Sequence, residues 1–181
     1  MEGSKNPYRI GVLTISDSSF RGEREDLSGR TIVELLLAGG LTAEKTAIVP
    51  DEEDMIVETL LLWCADGLNL ILTTGGTGLY PRDVTPEATK RVVTKEVPGI
   101  AEAIRMEGLK ETPMAMLSRG LAGIRGSTLI INMPGSPKAV ESAMRVITPV
   151  IRHAMDKLKG DATPCHVTKI NEAGAIQNER R

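Results

Sequence analysis

The chain has 181 residues and a formal net charge of −2, and its only aromatic residues are one Trp, one Phe and two Tyr. This length fits one domain with a sizeable aliphatic core, and so few rings cannot supply the stacking platforms of proteins that bind single-stranded nucleic acid. Because the chain also has no excess of basic residues, we expect no nucleic-acid partner.

Short apolar runs alternate with segments of helical period along the chain, a pattern typical of an α/β domain with a mainly parallel sheet. The first run, RIGVLTIS, is almost continuously apolar, as expected for a strand covered on both faces. The run before Pro50 is weaker, which predicts a strand near an edge. The predicted strands are residues 9–16, 42–49, 68–73 and 127–132.

Cap residues and prolines mark the starts of the predicted helices. We expect Ser28 to cap a helix that stops at Gly39–Gly40, and Asp51 to cap the next one. Thr85 and Ser136, each followed by proline, predict two more starts, and another helix follows Pro98–Gly99.

Three further stretches remain. An apolar stripe begins at Val140 and keeps its phase across Pro149, which predicts one kinked helix or two stacked ones. Residues 17–28 read as a polar loop, and residues 113–126 give no clear pattern.

The predicted organisation is one domain with short flanking segments. We expect an N-terminal extension over 1–8, a domain over 9–160 and a flexible C-terminal tail over 161–181, where periodicity is lost. The N-terminus lacks the apolar core of a signal peptide, and no run reaches membrane-spanning length. These features predict a cytoplasmic protein with no membrane partner.

The loop Thr74–Gly75–Gly76–Thr77–Gly78 follows a predicted strand. Its glycines allow a tight turn and let backbone N–H groups approach phosphate oxygens. It is not a Walker A motif, because no Gly-Lys-Ser/Thr follows, and it fails G-x-G-x-x-G, because Pro81 occupies the third glycine position. A phosphate or nucleotide cradle of another design remains, beside the alternative of an ordinary connector.

Asp51 and Asp83 each lie just ahead of a predicted helix. Such an aspartate can accept hydrogen bonds at the helix start, or it can hold Mg²⁺ against the phosphates of a substrate. Taken alone, the residues leave both interpretations open. The same holds for Arg119 and Arg125, which could clamp a phosphate or remain solvated.

Five segments together resemble the MogA/MoaB family, which includes the G domain of gephyrin. They are TISDS (14–18), EDLSG (25–29), LTTGGTGLYPRDVTPEAT (72–89), MLSRGLAGIRG (116–126) and LIINMPGSPKAV (129–140). The resemblance implies a three-layer α/β sandwich with a mostly parallel central sheet, usually assembled as a homotrimer. It also implies that the chain binds molybdopterin.

The resemblance further implies a reaction. MogA-type members use ATP as co-substrate and Mg²⁺ as cofactor to adenylylate the terminal phosphate of molybdopterin and release pyrophosphate. The family's two important aspartates fall on Asp51 and Asp83, which makes both catalytic and metal-binding candidates. The implied nucleotide site is Thr74, Gly75, Gly76, Thr77 and Gly78. The implied substrate contacts are Ser16, Asp17, Ser118, Arg119, Asn132, Pro134, Gly135 and Ser136.

Four functions are compatible with these features. A molybdopterin adenylyltransferase is favoured, because both aspartates are present in matching contexts. A non-catalytic molybdopterin-binding or carrier protein of the same family is the alternative, and an anchoring protein and a nucleotide hydrolase rank lower. A separate molybdenum insertase is implied as a partner.

Overall fold

The computed structural model describes residues 7–162 and the backbone of 169–170 and 176–177. The strands are β1 (Ile10–Ile15), β2 (Ala43–Val49), β3 (Leu70–Thr74), β4 (Lys95–Glu96), β5 (Ala122–Arg125), β6 (Thr128–Met133), β7 (Lys169–Ile170) and β8 (Ile176–Gln177). The helices are α1 (Asp17–Phe20), α2 (Leu27–Ala38), α3 (Glu53–Ala65), α4 (Thr85–Val92), α5 (Pro98–Leu109) and α6 (Pro137–Leu158), and Pro113–Leu117 forms a 3₁₀ helix.

The central sheet has the strand order β2-β1-β3-β6-β5-β4. The strands β2, β1, β3 and β6 run parallel to one another. At the other edge, β5 pairs antiparallel with β6, and β4 pairs antiparallel with β5. The predicted α/β class with a mostly parallel sheet is therefore confirmed, and β2 lies at an edge as expected. In the part of the chain that the structure describes, no helix is both long and apolar enough to cross a membrane.

Alternation along β1 separates two cores. Ile10 and Val12 face a cluster built with α2, α5 and α6, whereas Leu13 and Ile15 face a second cluster built with α3 and α4. Both faces of the sheet are thus covered, which explains why the strand sequences are apolar at consecutive positions. The result is the predicted three-layer sandwich.

Three helix starts differ from their predictions. Asp26, not Ser28, caps α2, since its carboxylate accepts from the N–H of Gly29. Glu52, not Asp51, stands at the N-cap of α3, and its side chain makes no capping bond there. The Asp51 carboxylate accepts instead from the N–H of Asp17. Thr85 is the first residue of α4, and its hydroxyl donates to the carbonyl of Gly75 (2.9 Å).

The structure also shows which elements the three less regular stretches of the sequence form. The polar stretch after β1 begins with the one-turn helix α1, so its prediction as a loop was partly wrong. The indefinite stretch contains the 3₁₀ helix and β5. The last apolar stripe is one continuous helix with Pro149 inside it, and Ser136 caps it as predicted. The predicted segment boundaries stay predictions, since residues 1–6 and most of 161–181 lie outside the described residues.

Candidate active site

Three loops meet beyond the carboxyl ends of β1, β3 and β6, where parallel sheets bind ligands. Gly75 lies against both others: a Cβ there would overlap the carbonyl oxygen of Ile15, and a Cβ on Gly135 would lie 3.3 Å from the Cα of Gly75. The hydroxyl of Thr74 donates to the carbonyl of Pro134 (2.6 Å). These contacts bring the three loops together at one end of the sheet.

Asp17 and Asp51 form a reciprocal pair. The N–H of Asp17 donates to Oδ2 of Asp51 (2.8 Å), and the N–H of Asp51 donates to Oδ1 of Asp17 (3.1 Å). Arg82 adds two bonds to Asp17 (2.7 and 3.1 Å) and one to Glu52 (2.9 Å). The start of α1 is thus fixed against the loop that follows β2.

The two aspartates of this pair have opposite electrostatic environments. The Arg82 guanidinium lowers the pKa of Asp17. Burial raises the pKa of Asp51, and the negative charges of Asp17 and Asp83 raise it further, against the hydrogen bond from Asp17. Asp51 is therefore a half-buried carboxylate near two others, a place where a cation would be stabilised.

Asp83 closes a tight turn. Its N–H donates to the carbonyl of Tyr80 (2.8 Å), and its Oδ2 accepts from the N–H of Tyr80 (3.0 Å). The same oxygen would lie 2.9 Å from a Cβ on Gly78. Asp83 is thus held directly against the glycine loop, and its other oxygen accepts no hydrogen bond within residues 7–162.

The glycine loop itself presents backbone donors. Gly75 and Gly76 have φ values of 97° and 61°, which residues with side chains rarely adopt. Within residues 7–162, the N–H groups of Gly76, Thr77 and Gly78 donate no hydrogen bond. A Cβ on Gly76 would lie 3.2 Å from Oδ1 of Asp51. This loop can therefore bring unused donors close to a carboxylate that can carry a cation.

A cleft of about 450 Å³ opens on one side of the loop, between α5, the 3₁₀ helix and the start of α6. Six predicted site residues line it: Thr77, Gly78, Ser118, Pro134, Gly135 and Ser136. Arg105, Glu111 and Lys138 also line it. Lys138 follows a predicted helix start and could have been included, whereas no sequence pattern marks Glu111.

Some predicted site residues bond to neighbouring protein groups. The Asn132 amide donates to the hydroxyls of Thr73 (3.0 Å) and Thr89 (2.9 Å), and its oxygen accepts from the N–H of Leu121. The side chains of Asn132 and Thr74 are buried. Ser16 caps α1. The structure therefore gives these side chains contacts that shape the loops.

The acidic residues suit a metal held jointly with a substrate. In the described part of the chain, no group of three or more His, Cys, Asp or Glu side chains could hold a metal ion by itself. Mg²⁺ in nucleotide sites is usually held by one or two carboxylates together with substrate phosphates. Asp51 and Asp83 fit that arrangement, because each has a carboxylate oxygen close to the glycine loop and, within residues 7–162, an oxygen that accepts no hydrogen bond.

Comparisons with known proteins identify the family. A family model described as "Probable molybdopterin binding domain" matches residues 11–153. A molybdopterin adenylyltransferase of Helicobacter pylori strain J99 is 44% identical over 155 residues, which are 84% of this chain and 88% of that protein. The molybdenum cofactor synthesis protein cinnamon of Drosophila melanogaster is 43% identical over 173 residues, which are 93% of this chain but only 28% of that protein.

A solved structure agrees with these matches. The crystal structure of the molybdopterin biosynthesis enzyme MoaB from Thermus thermophilus has a TM-score of 0.80 and 51% identity. The match covers 85% of this chain and 98% of that one. Since the family model spans most of the sequence and these relatives share its fold, the chain belongs to the MogA/MoaB family of molybdopterin-binding domains.

Proposed function

We propose that this chain is a molybdopterin adenylyltransferase that transfers AMP from Mg·ATP to the terminal phosphate of molybdopterin. The observation that carries the proposal is the meeting of Asp51 and Asp83 with the glycine loop at the carboxyl edge of the sheet. The Helicobacter pylori relative, of which this chain covers 88%, is named for that activity.

The reaction joins two polyanions. An oxygen of the molybdopterin phosphate attacks the α-phosphorus of ATP, the bond from that phosphorus to the β-phosphate bridging oxygen breaks, and pyrophosphate leaves. The attacking phosphate is already largely ionised at neutral pH, so the chain needs no strong general base. Its task is to position the two substrates and to offset their repulsion.

The chain's own residues divide that task. Gly76, Thr77 and Gly78 offer backbone N–H groups to the nucleotide phosphates. Asp51 and Asp83 would hold Mg²⁺, which supplies charge neutralisation when it is bound. Arg82 keeps Asp17 ionised and holds it in place, and the N–H of Asp17 donates to Asp51. The Asp51 carboxylate is therefore oriented before substrate arrives.

The cleft suits the second substrate. It adjoins the glycine loop, and Ser118, Ser136 and Lys138 give it hydroxyl and ammonium donors. Its remaining wall is largely aliphatic, as most small-molecule sites are. Molybdopterin bound there would have its phosphate directed at the glycine loop, which both sites share through Thr77 and Gly78.

The direct test incubates the pure protein with molybdopterin, ATP and Mg²⁺ and detects the adenylylated pterin by mass spectrometry. We expect product only when all three are present. Tight molybdopterin binding without product would favour the carrier function instead.

Three further properties belong to the same proposal. The protein acts in the cytoplasm, forms a homotrimer and passes its product to a separate molybdenum insertase. Light scattering coupled to size exclusion tests the trimer, and a monomeric mass for the active protein would contradict it.

A further inference from the structure

Arg119 contacts three segments of the site, which are the glycine loop, Asp83 and α4. It precedes β5 and its own N–H donates to the carbonyl of Thr77 (2.9 Å). Its Nε donates to the carbonyl of Gly78 (2.7 Å), and another guanidinium nitrogen donates to the carbonyl of Asp83. The third nitrogen pairs with Glu87 on α4.

These contacts use most of the hydrogen-bonding capacity of the Arg119 guanidinium within the protein. Each of the three guanidinium nitrogens already has a partner in the protein, and only 34% of the side chain is exposed. A guanidinium has five N–H donors, and these bonds use three of them on the protein itself. The resemblance implies a substrate contact at this position, but the geometry favours another role.

The contacts hold Asp83 and the glycine loop in one arrangement. The carbonyls of Gly78 and Asp83 flank the turn in which the Asp83 carboxylate accepts from the N–H of Tyr80. A planar guanidinium with several donors suits this bracing of two carbonyls, and an ammonium cannot reproduce it. If the two carbonyls separated, the carboxylate of Asp83 would move away from the loop.

We propose that Arg119 is a positioning residue that sets the Asp83 carboxylate against the glycine loop for Mg·nucleotide binding. This inference rests on the proposed function, because it takes Asp83 as a metal ligand. Arg119 acts through Asp83 and touches neither substrate. Residues that orient a metal ligand commonly change metal affinity by about 10- to 100-fold when they are replaced.

The test compares Arg119→Ala and Arg119→Lys with the wild type and with Arg125→Ala. Arg125 is a matched control, because its guanidinium also donates to a backbone carbonyl, that of Val92 at the far end of α4. Calorimetry measures the binding of α,β-methylene-ATP with and without Mg²⁺, and thermal unfolding monitors the fold. Molybdopterin binding is measured separately.

In the wild type and in Arg125→Ala, we expect Mg²⁺ to strengthen binding of the analogue. In Arg119→Ala, the factor by which Mg²⁺ strengthens binding of the analogue should be smaller by about 10-fold or more. The affinity for molybdopterin and the affinity for the analogue without Mg²⁺ should be unchanged. Arg119→Lys, which keeps the charge without the fork, should recover only part of the gain.

Four results would overturn the inference. They are an unchanged gain in Arg119→Ala, an equal loss with and without Mg²⁺, a loss of molybdopterin affinity alone, and no Mg²⁺-dependent gain in the wild type. A wild type that binds Mg·nucleotide in an Arg119-dependent way yet forms no adenylylated pterin would refute the proposed function and leave this inference standing.

Discussion

Single carboxylates determine the character of the site. Asp17 is kept ionised by Arg82, whereas Asp51 is half-buried beside two other acids and its pKa is raised. Asp83 is held by its own turn against the glycine loop. One edge of the sheet therefore concentrates negative charge where polyanionic substrates would bind. A cation bound between the carboxylates and the phosphates would offset their repulsion.

Replacing Asp83 with Asn tests its metal role. The amide keeps the acceptor for the N–H of Tyr80 but removes the charge, so we expect adenylylation to fall at least about 100-fold with little change in melting temperature. Initial rates at saturating ATP measure the effect. Asp66→Asn, which removes an exposed carboxylate paired with Lys45, serves as the control and should keep full activity. Full activity in the Asp83 variant would remove it from the mechanism.

Asp51→Asn should separate stability from function. Burial raises the pKa of Asp51 above its ordinary value of 3.8, so the folded state holds this proton more tightly than the unfolded state does. Ionisation therefore costs stability, and the cost grows as the pH rises above that value. We expect the variant to lose activity but to melt higher than the wild type at about pH 7, and no higher at about pH 3. Equal melting temperatures at both pH values would contradict this.

Among the elements, the first helices show what the sequence could and could not predict. Apolar alternation and period located the main strands and the long helices, because burial dictates those patterns. The sequence pattern missed α1 and the cap of α2. Several polar residues lie near the start of each helix, and only the tertiary structure decides which of them becomes the cap. Asp26 is selected since its second oxygen also accepts from the buried hydroxyl of Thr14 (2.6 Å).

That choice of cap is measurable. Asp26→Ala removes the acceptor for Gly29 and leaves the hydroxyl of Thr14 without its partner, so it should lower the free energy of unfolding by about 2 kcal/mol. Ser28→Ala removes only a hydroxyl that donates to Asp26, and should cost about 1 kcal/mol or less. Urea unfolding compares the two variants. A larger effect for Ser28 would restore the cap that the sequence first suggested.

The candidate site was predicted in part for a similar reason. Glycine loops after strands are visible in a sequence, and the resemblance located Asp51 and Asp83. The reciprocal bonds of Asp17 and Asp51, which lie 34 positions apart, depend on the pairing of β1 with β2. The bracing role of Arg119 likewise depends on how the loop before β5 packs against the glycine loop.

At the scale of the whole molecule, the two apolar cores of the described residues lie between residues 8 and 158, on opposite faces of one sheet. The family model also ends before residue 160. A chain that stops after residue 162 should therefore keep the melting temperature and the adenylylation rate of the full chain. Circular dichroism and the product assay test this prediction. A lower melting temperature or lost activity would mean that residues 163–181 contribute to the folded enzyme.

The most direct test of the central claim follows the two ends of ATP in two parallel reactions. The protein is mixed with molybdopterin, Mg²⁺ and ATP labelled at either the α- or the γ-phosphorus. We predict that the α label appears in the pterin product and the γ label in pyrophosphate, in equal amounts. If the γ label appears as inorganic phosphate and no α label reaches the pterin, the chain is not an adenylyltransferase.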